Sequence, residues 1–139
     1  MPQLLLVDFA LGAPGTPVQP DFYTPEGVRV TLPMPSKIIM AGTRVGIEIR
    51  EKVILTLPRP ASEVEVRGGA WANPPVARFL ASDGTLLKTV QTVVQPDHGI
   101  AAQYASTVPI GRVALDYPNG EGVLFTLAAL LQPEAAGKR

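Results

Sequence analysis

The chain has 139 residues, 46% of them hydrophobic and 17% charged, and its 12 basic and 12 acidic side chains give a formal net charge of +0. This composition is typical of one globular domain and shows no basic surface for nucleic acid or anionic lipid. The lack of cysteine excludes disulfides, thiolate zinc sites and a cysteine nucleophile, and the single histidine, His98, excludes a site built from several histidines of one chain.

Short runs rich in Val, Ile, Leu and Thr follow one another along the chain, and 15 prolines and 13 glycines punctuate it. Helices of ordinary length do not fit between these breaks. The runs are 4–9, 28–32, 37–40, 45–49, 52–57, 63–67, 76–81, 85–94, 99–105, 111–117 and 122–131. Their spacing predicts an all-β fold, an antiparallel β-sandwich of jelly-roll type with about ten short strands.

Two of these runs alternate apolar and polar residues, which predicts strands with one buried face. In 28–32 the apolar face is Val28, Val30 and Leu32, and in 63–67 it is Val64 and Val66. The Asp83-Gly84 pair between 76–81 and 85–94 predicts a tight hairpin turn.

The remaining segments complete a prediction of one domain over residues 1–139. The proline-rich segment 12–25 predicts either a loop laid across the sandwich or an arm that reaches a neighbouring molecule. Residues 132–139 predict a loose tail.

The N-terminus lacks a basic region and no apolar run approaches the ~20 residues of a membrane span. We therefore expect a soluble protein, without a signal peptide, that is cytoplasmic or virion-associated.

Several segments resemble a known superfamily. "VDF" (7–9) with "DFYTPEGVRV" (21–30), and "VARFLASDGTLLKTV" (76–90) with "IGRVALDYPNGEGVLFTL" (110–127), are similar to galactose-binding-like jelly-roll domains of carbohydrate-binding modules and adhesins. The resemblance implies a jelly-roll sandwich and a carbohydrate-binding or adhesive function. Many such domains carry a structural calcium near both chain ends. The last strand here, 124–127, lacks the acidic residue often found there.

Asp116 and Glu121 flank Pro118-Asn119-Gly120, a sequence that favours a tight hairpin with both carboxylates in solvent. The alternative is a structural calcium held by Asp116 and Glu121 together with Asp8, since calcium prefers several carboxylate oxygens. We expect no other cofactor.

Three arrangements are candidate catalytic centres, and the sequence favours none of them. Glu63 and Glu65 lie about 7 Å apart on one strand face, within the range of glycosidase carboxylates, but they fit a solvated sheet face better. His98 adjoins Asp97, yet no G-x-S-x-G motif supplies a serine nucleophile. "GTRVG" (42–46) lacks the lysine of a phosphate-binding loop. The sequence therefore predicts a protein that is not an enzyme.

Aromatic residues are the remaining candidates for partner contacts, namely Trp71, Phe22, Tyr23 and Tyr104. Trp71 lies between turn residues, where the favoured interpretation is a cap on the core and the alternatives are a protein or a sugar contact. We expect a non-catalytic structural or interaction protein that forms a homo-oligomer or docks on a larger assembly, such as a virion decoration or tail-associated protein. The alternative is a carbohydrate-binding or adhesive module with a glycan partner.

Overall fold

The computed structural model describes residues 2–71 and 73–133, and of Asn119 and Gly120 only the backbone. These residues form nine strands: β1 (Gln3–Asp8), β2 (Pro17–Val18), β3 (Asp21–Tyr23), β4 (Arg29–Thr31), β5 (Ser36–Ala41), β6 (Arg44–Ala70), β7 (Val76–Ala81), β8 (Leu86–Gln91) and β9 (Gly99–Leu131). Within this part of the chain no helix could cross a membrane. The strand pairings are antiparallel, which confirms the predicted fold class.

Strands β6 and β9 are far longer than the short strands predicted, because bulges bend them where the sequence suggested breaks. Residues 47–56 of β6 pair with 112–124 of β9. After a register shift between Thr56 and Ala61, residues 61–70 pair with 122–131 on one side and with 99–110 on the other. Each long strand therefore contributes to both layers of the sandwich.

The sheet folds over one core. One layer contains β1, 126–131, 61–67 and 99–105, and the other contains β3, β4, 52–56, 112–116, β7 and β8. Inward side chains from both layers are fully buried, as the alternation in 28–32 and 63–67 predicted; they include Val30, Val64, Val66, Val53, Leu55, Phe79 and Leu127. The rings of Phe79 and Tyr104 lie 5.5 Å apart and join the two layers.

The hairpin predicted at Asp83-Gly84 is confirmed, since β7 and β8 pair on either side of it and Gly84 has a φ of 92°. The prediction of a hairpin at Pro118-Asn119-Gly120 is wrong, because the chain does not reverse direction there. Residues 112–116 and 121–124 pair in one direction with the same stretch of β6, so 117–120 form a bulge opposite Glu51. Glu51 itself takes a left-handed φ of 69°.

Residues 12–25 contact the sandwich of the same chain. Within this segment β2 pairs with β5 and β3 pairs with β4. Backbone bonds from Gly15 N to Ile38 O (2.7 Å) and from Ile38 N to Thr16 O (2.9 Å) extend the contact. Of the predicted tail, Gln132 still donates to Pro60 O at 2.8 Å, while 134–139 lie outside the described residues.

Candidate functional site

An open groove of about 840 Å³ lies at one end of the sandwich. Its walls are the β5–β6 turn (41–44) and the loop before β9 (91–98), and its base includes the end of β6 and part of β9. The side chains that line it and bear on ligand binding are Arg44, Arg67, Trp71, Gln91, Gln95, Asp97, His98 and Phe125. We call this surface the end groove. Its size is within the range of small-molecule sites in proteins.

Hydrogen bonds hold the 91–98 wall in a fixed shape. Thr92, only 3% exposed, donates its hydroxyl to Pro75 O at 2.6 Å and so anchors the start of the loop. Gln95 N donates to Gly99 O (2.9 Å), and Asp97 Oδ1 accepts from Gly99 N (2.9 Å). These contacts close a turn before β9, so the end groove is preformed.

His98 takes a left-handed φ of 66°, a conformation that L-residues adopt rarely although histidine is enriched there. Its carbonyl accepts a hydrogen bond from Ala70 N at 2.9 Å. This bond fixes the end of β6 against the turn, and Trp71 follows directly with 48% of its surface exposed. Trp71 is therefore about half exposed and directly follows an anchored stretch of backbone.

Two arginines line the end groove. The Arg44 guanidinium lies 4.5 Å from the centroid of the Phe125 ring, a cation–π geometry that orients it. Arg67 contacts Glu65 through Nη2 at 3.2 Å, and its side chain is 56% exposed. Asp97 is the one carboxylate among the described lining residues. The two guanidinium groups are therefore the lining groups that can pair with an anionic ligand.

Of the three candidate catalytic centres, two line the end groove, namely Asp97 with His98 and residues 42–44 of the "GTRVG" segment. Glu63 accepts a hydrogen bond from Gln103, and Glu65 pairs with Arg67, both on the outer sheet face. The described lining of the end groove includes His98 and Asp97 but no serine. The expectation that the protein is not an enzyme stays a prediction.

A second surface lies on β1. In the described chain β1 pairs only with β9, so its other edge is open, and Leu4 and Leu6 are 61% and 63% exposed. Leu4 lies opposite Leu130 and Leu6 opposite Ala128, which are half-buried. We call these four residues the β1 face. Glu63 and Glu65, opposite Leu130 and Ala128 on the next strand, bound it with charge.

The predicted partner-contact residues do not form one surface. Trp71 lines the end groove, whereas Phe22 and Tyr23 line a separate groove of about 400 Å³ beside β2. Tyr23 is 68% exposed, but Phe22 packs against the core. Tyr104 is half-buried against Phe79, which gives it a structural role between the layers.

The three predicted calcium ligands are dispersed in the sheet. Asp116 forms an ion pair with Arg78 and lies opposite Lys52, and Glu121 lies opposite Arg50. Asp8 lies at the end of β1, where it accepts a hydrogen bond from Ala10 N at 2.9 Å. Residues 2–71 and 73–133 contain no cluster of three or more metal-ligating side chains. Calcium binding stays a prediction.

Sequence reasoning missed most of the end groove and the open edge of β1. Arg44 and Arg67 stand more than 20 residues apart in the chain, and only the fold brings their strands to the 91–98 loop. For β1, the run "LLLVD" contained a signal: Leu4 and Leu6 alternate with the buried Leu5 and Val7. Apolar residues on both faces of an end strand indicate a second contact.

No family model and no curated protein matches the chain. Among solved structures, it is similar to the catalytic unit of a thermostable GH87 alpha-1,3-glucanase from Streptomyces thermodiastaticus strain HF3-3, with a TM-score of 0.49 and 15% identity, over 98% of this chain and 27% of that one. Two further GH87 alpha-1,3-glucanase catalytic domains, in complexes with nigerose and with tetrasaccharides, give TM-scores of 0.46 and 0.43 at 14% and 16% identity.

The alignments with these two domains cover 98% of this chain and only 30% and 29% of theirs. All three neighbours share a β-rich fold with the chain, and at these TM-scores the similarity carries no argument about its activity. Membership of the galactose-binding-like superfamily stays a prediction.

Proposed function

We propose that the chain is a non-catalytic interaction protein that pairs with a second copy of itself through β1 and thereby takes part in a larger protein assembly. The observation that supports this proposal is the combination of an open backbone edge with the exposed side chains of Leu4 and Leu6. Unprotected apolar edge strands are templates for strand addition. A virion decoration or tail-associated protein is one form that such an assembly takes.

In the proposed contact the two β1 strands are antiparallel, and the contact has the two-fold symmetry of most homodimers. With Leu5 opposite Leu5 of the partner subunit, Leu4 lies opposite Leu6 of the partner subunit. Because side chains alternate along a strand, this register keeps the exposed leucines on one face and the buried ones on the other. The two β1 faces then join into one apolar strip.

Charge supports the same register. Asp8 ends β1, and Arg59 contacts the side chain of Gln3 at its start, with Nη2 2.5 Å from Oε1. Antiparallel pairing brings Asp8 of one copy to the Gln3 end of the other, next to Arg59. An exposed pair of this kind adds little affinity but disfavours shifted registers.

The test is the mass in solution, measured by light scattering and sedimentation across a concentration series. We expect a dimer for the unmodified chain and a monomer for the double variant Leu4→Lys, Leu6→Lys. Burying one leucine contributes about 1.5–3 kcal/mol, so losing two per copy should weaken association at least ~100-fold.

The matched control is Met40→Lys, which places the same charge on a residue 59% exposed on β5. This variant should remain a dimer, and thermal unfolding should show all three proteins folded. A monomeric unmodified chain at high concentration, or a double variant that still dimerises, would contradict the proposal.

A further inference from the structure

We propose that the end groove binds an acidic oligosaccharide, a chain of sugar rings that carry carboxylates. This inference goes beyond self-association and narrows the carbohydrate alternative to one ligand class. It rests on a separate surface, since none of the four residues of the β1 face lines the end groove. The end groove has three features that suit such a ligand: a stacking ring, cationic groups and polar side chains on a preformed wall.

The stacking ring is Trp71. The C–H faces of a pyranose ring are apolar and pack on an aromatic face, and the indole N–H can donate to a ring substituent. Trp71 meets both needs because it is 48% exposed and borders the end groove. The bond from Ala70 N to His98 O (2.9 Å) holds the backbone directly before Trp71, which limits the backbone order that binding has to supply.

The cationic groups are Arg44 and Arg67. A guanidinium offers five N–H donors in a planar fork that matches a carboxylate. Arg44 is oriented in advance by the Phe125 ring, 4.5 Å from its centroid. Arg67 contacts Glu65 at 3.2 Å through one nitrogen, and this exposed pair is weak enough to rearrange toward a ligand.

The polar side chains are Gln91, Gln95, Asp97 and His98, all on the wall of residues 91–98. Amide, carboxylate and imidazole groups can each donate to or accept from sugar hydroxyls. The wall is held by the bonds of Thr92 to Pro75 O (2.6 Å) and of Gln95 N to Gly99 O (2.9 Å). An acidic peptide would satisfy the arginines but would make less use of Trp71 and of these hydroxyl-binding groups.

The experiment is calorimetric titration of the full chain with three probes: oligogalacturonate, a neutral malto-oligosaccharide of the same length, and poly-glutamate. We expect oligogalacturonate to bind more tightly than either other probe, and its affinity to fall as salt rises. Trp71→Ala should weaken it about tenfold, the value of one lost aromatic contact. Arg44→Gln with Arg67→Gln should weaken it by at least as much and remove the preference for the acidic sugar.

Matched controls are Tyr23→Ala, an aromatic residue 68% exposed outside the end groove, and Arg112→Gln, an exposed arginine on β9 outside it. Both should bind as the unmodified chain does. The Leu4→Lys, Leu6→Lys variant should also bind oligogalacturonate normally, which separates this proposal from self-association. Equal binding of the neutral sugar, tighter binding of poly-glutamate, binding unaffected by Trp71→Ala, or no binding of oligogalacturonate would each overturn the proposal.

Discussion

Two edges of the sheet, β1 and β8, differ in how they meet solvent. Each pairs with one neighbour in the described chain, β1 with β9 and β8 with β7, and each exposes apolar side chains. Leu86 on β8 is 52% exposed, close to the 61% and 63% of Leu4 and Leu6 on β1. The edges differ in charge, since β8 has the exposed Lys88 at its middle and β1 is uncharged until Asp8.

This difference shows that exposed leucines alone do not make an interface. A lysine in the middle of an edge strand disfavours strand addition, because a new neighbour would have to desolvate its ammonium group. On β8 the lysine protects the edge, whereas β1 has no such protection. This difference in charge supports the proposed pairing through β1, and the following changes test that proposal.

The largest expected effect is a difference in stability between two variants of β1, altered at neighbouring residues on opposite faces of the strand. Leu5 is 7% exposed and packs in the core, so Leu5→Ala should lower the free energy of unfolding by about 3 kcal/mol. Leu6→Ala should change it by less than about 0.5 kcal/mol in dilute solution. Urea denaturation of both variants measures the free energy of unfolding. Equal decreases for the two variants would contradict the placement of Leu5 in the core and Leu6 on the surface.

The next effect is a gain of association at β8. Lys88→Leu removes the protecting charge, so both edges can pair and assemblies larger than the dimer should appear as concentration rises. Light scattering measures the change. The control is Lys37→Leu on β5, a strand already paired with β2 and β6, which should leave the mass unaltered. A Lys88→Leu protein that stays dimeric would show that charge does not distinguish the edges.

A change inside the sheet should alter stability and leave association unaffected. The Tyr117 hydroxyl is buried without a hydrogen-bond partner in the described structure, and burial raises the pKa of Tyr117. Tyr117→Phe should therefore stabilise the fold by about 1 kcal/mol, since it removes an unpaired polar group.

The pH dependence of the same variant is a second readout. Because the folded pKa of Tyr117 is above its unfolded value of 10.0, the hydroxyl ionises more readily after unfolding. The unmodified chain should lose stability as pH rises above 10.0, and Tyr117→Phe should lose less of it. Denaturation curves on both sides of that pH measure the difference, and parallel losses would contradict the burial of this group.

The smallest effect is expected on β3, a short strand with an exposed ion pair. Arg29 donates two hydrogen bonds to Asp21, at 2.9 and 2.8 Å, and lowers the pKa of that carboxyl below 3.8. The resulting stabilisation is present above pH 3.8 and is lost as pH falls through the lower folded pKa. Asp21→Asn should slightly reduce stability near neutral pH, and the difference should vanish in acid, as thermal unfolding can measure.

The sequence predicted which side chains point into the core where only one face of a strand is buried, as for Val64 and Val66. Side chains alternate with a period of two residues, so only one choice of face buries the apolar residues. Sequence reasoning failed at Pro118-Asn119-Gly120, because the local preference for a turn serves a hairpin and a bulge equally, and only the distant pairing with β6 decides between them. It also could not place Arg44 beside the 91–98 loop. The end groove depends on contacts between segments far apart in the chain, which local patterns do not encode.

Hydrogen–deuterium exchange of the β1 and β8 amides over a range of protein concentrations tests self-association through β1 most directly. Paired amides exchange slowly, so pairing at an edge appears as protection that grows with concentration. We predict that exchange at residues 3–8 slows as the chain dimerises and that exchange at residues 86–91 does not change. Exchange at 3–8 that is independent of concentration in a dimeric protein would contradict the proposal.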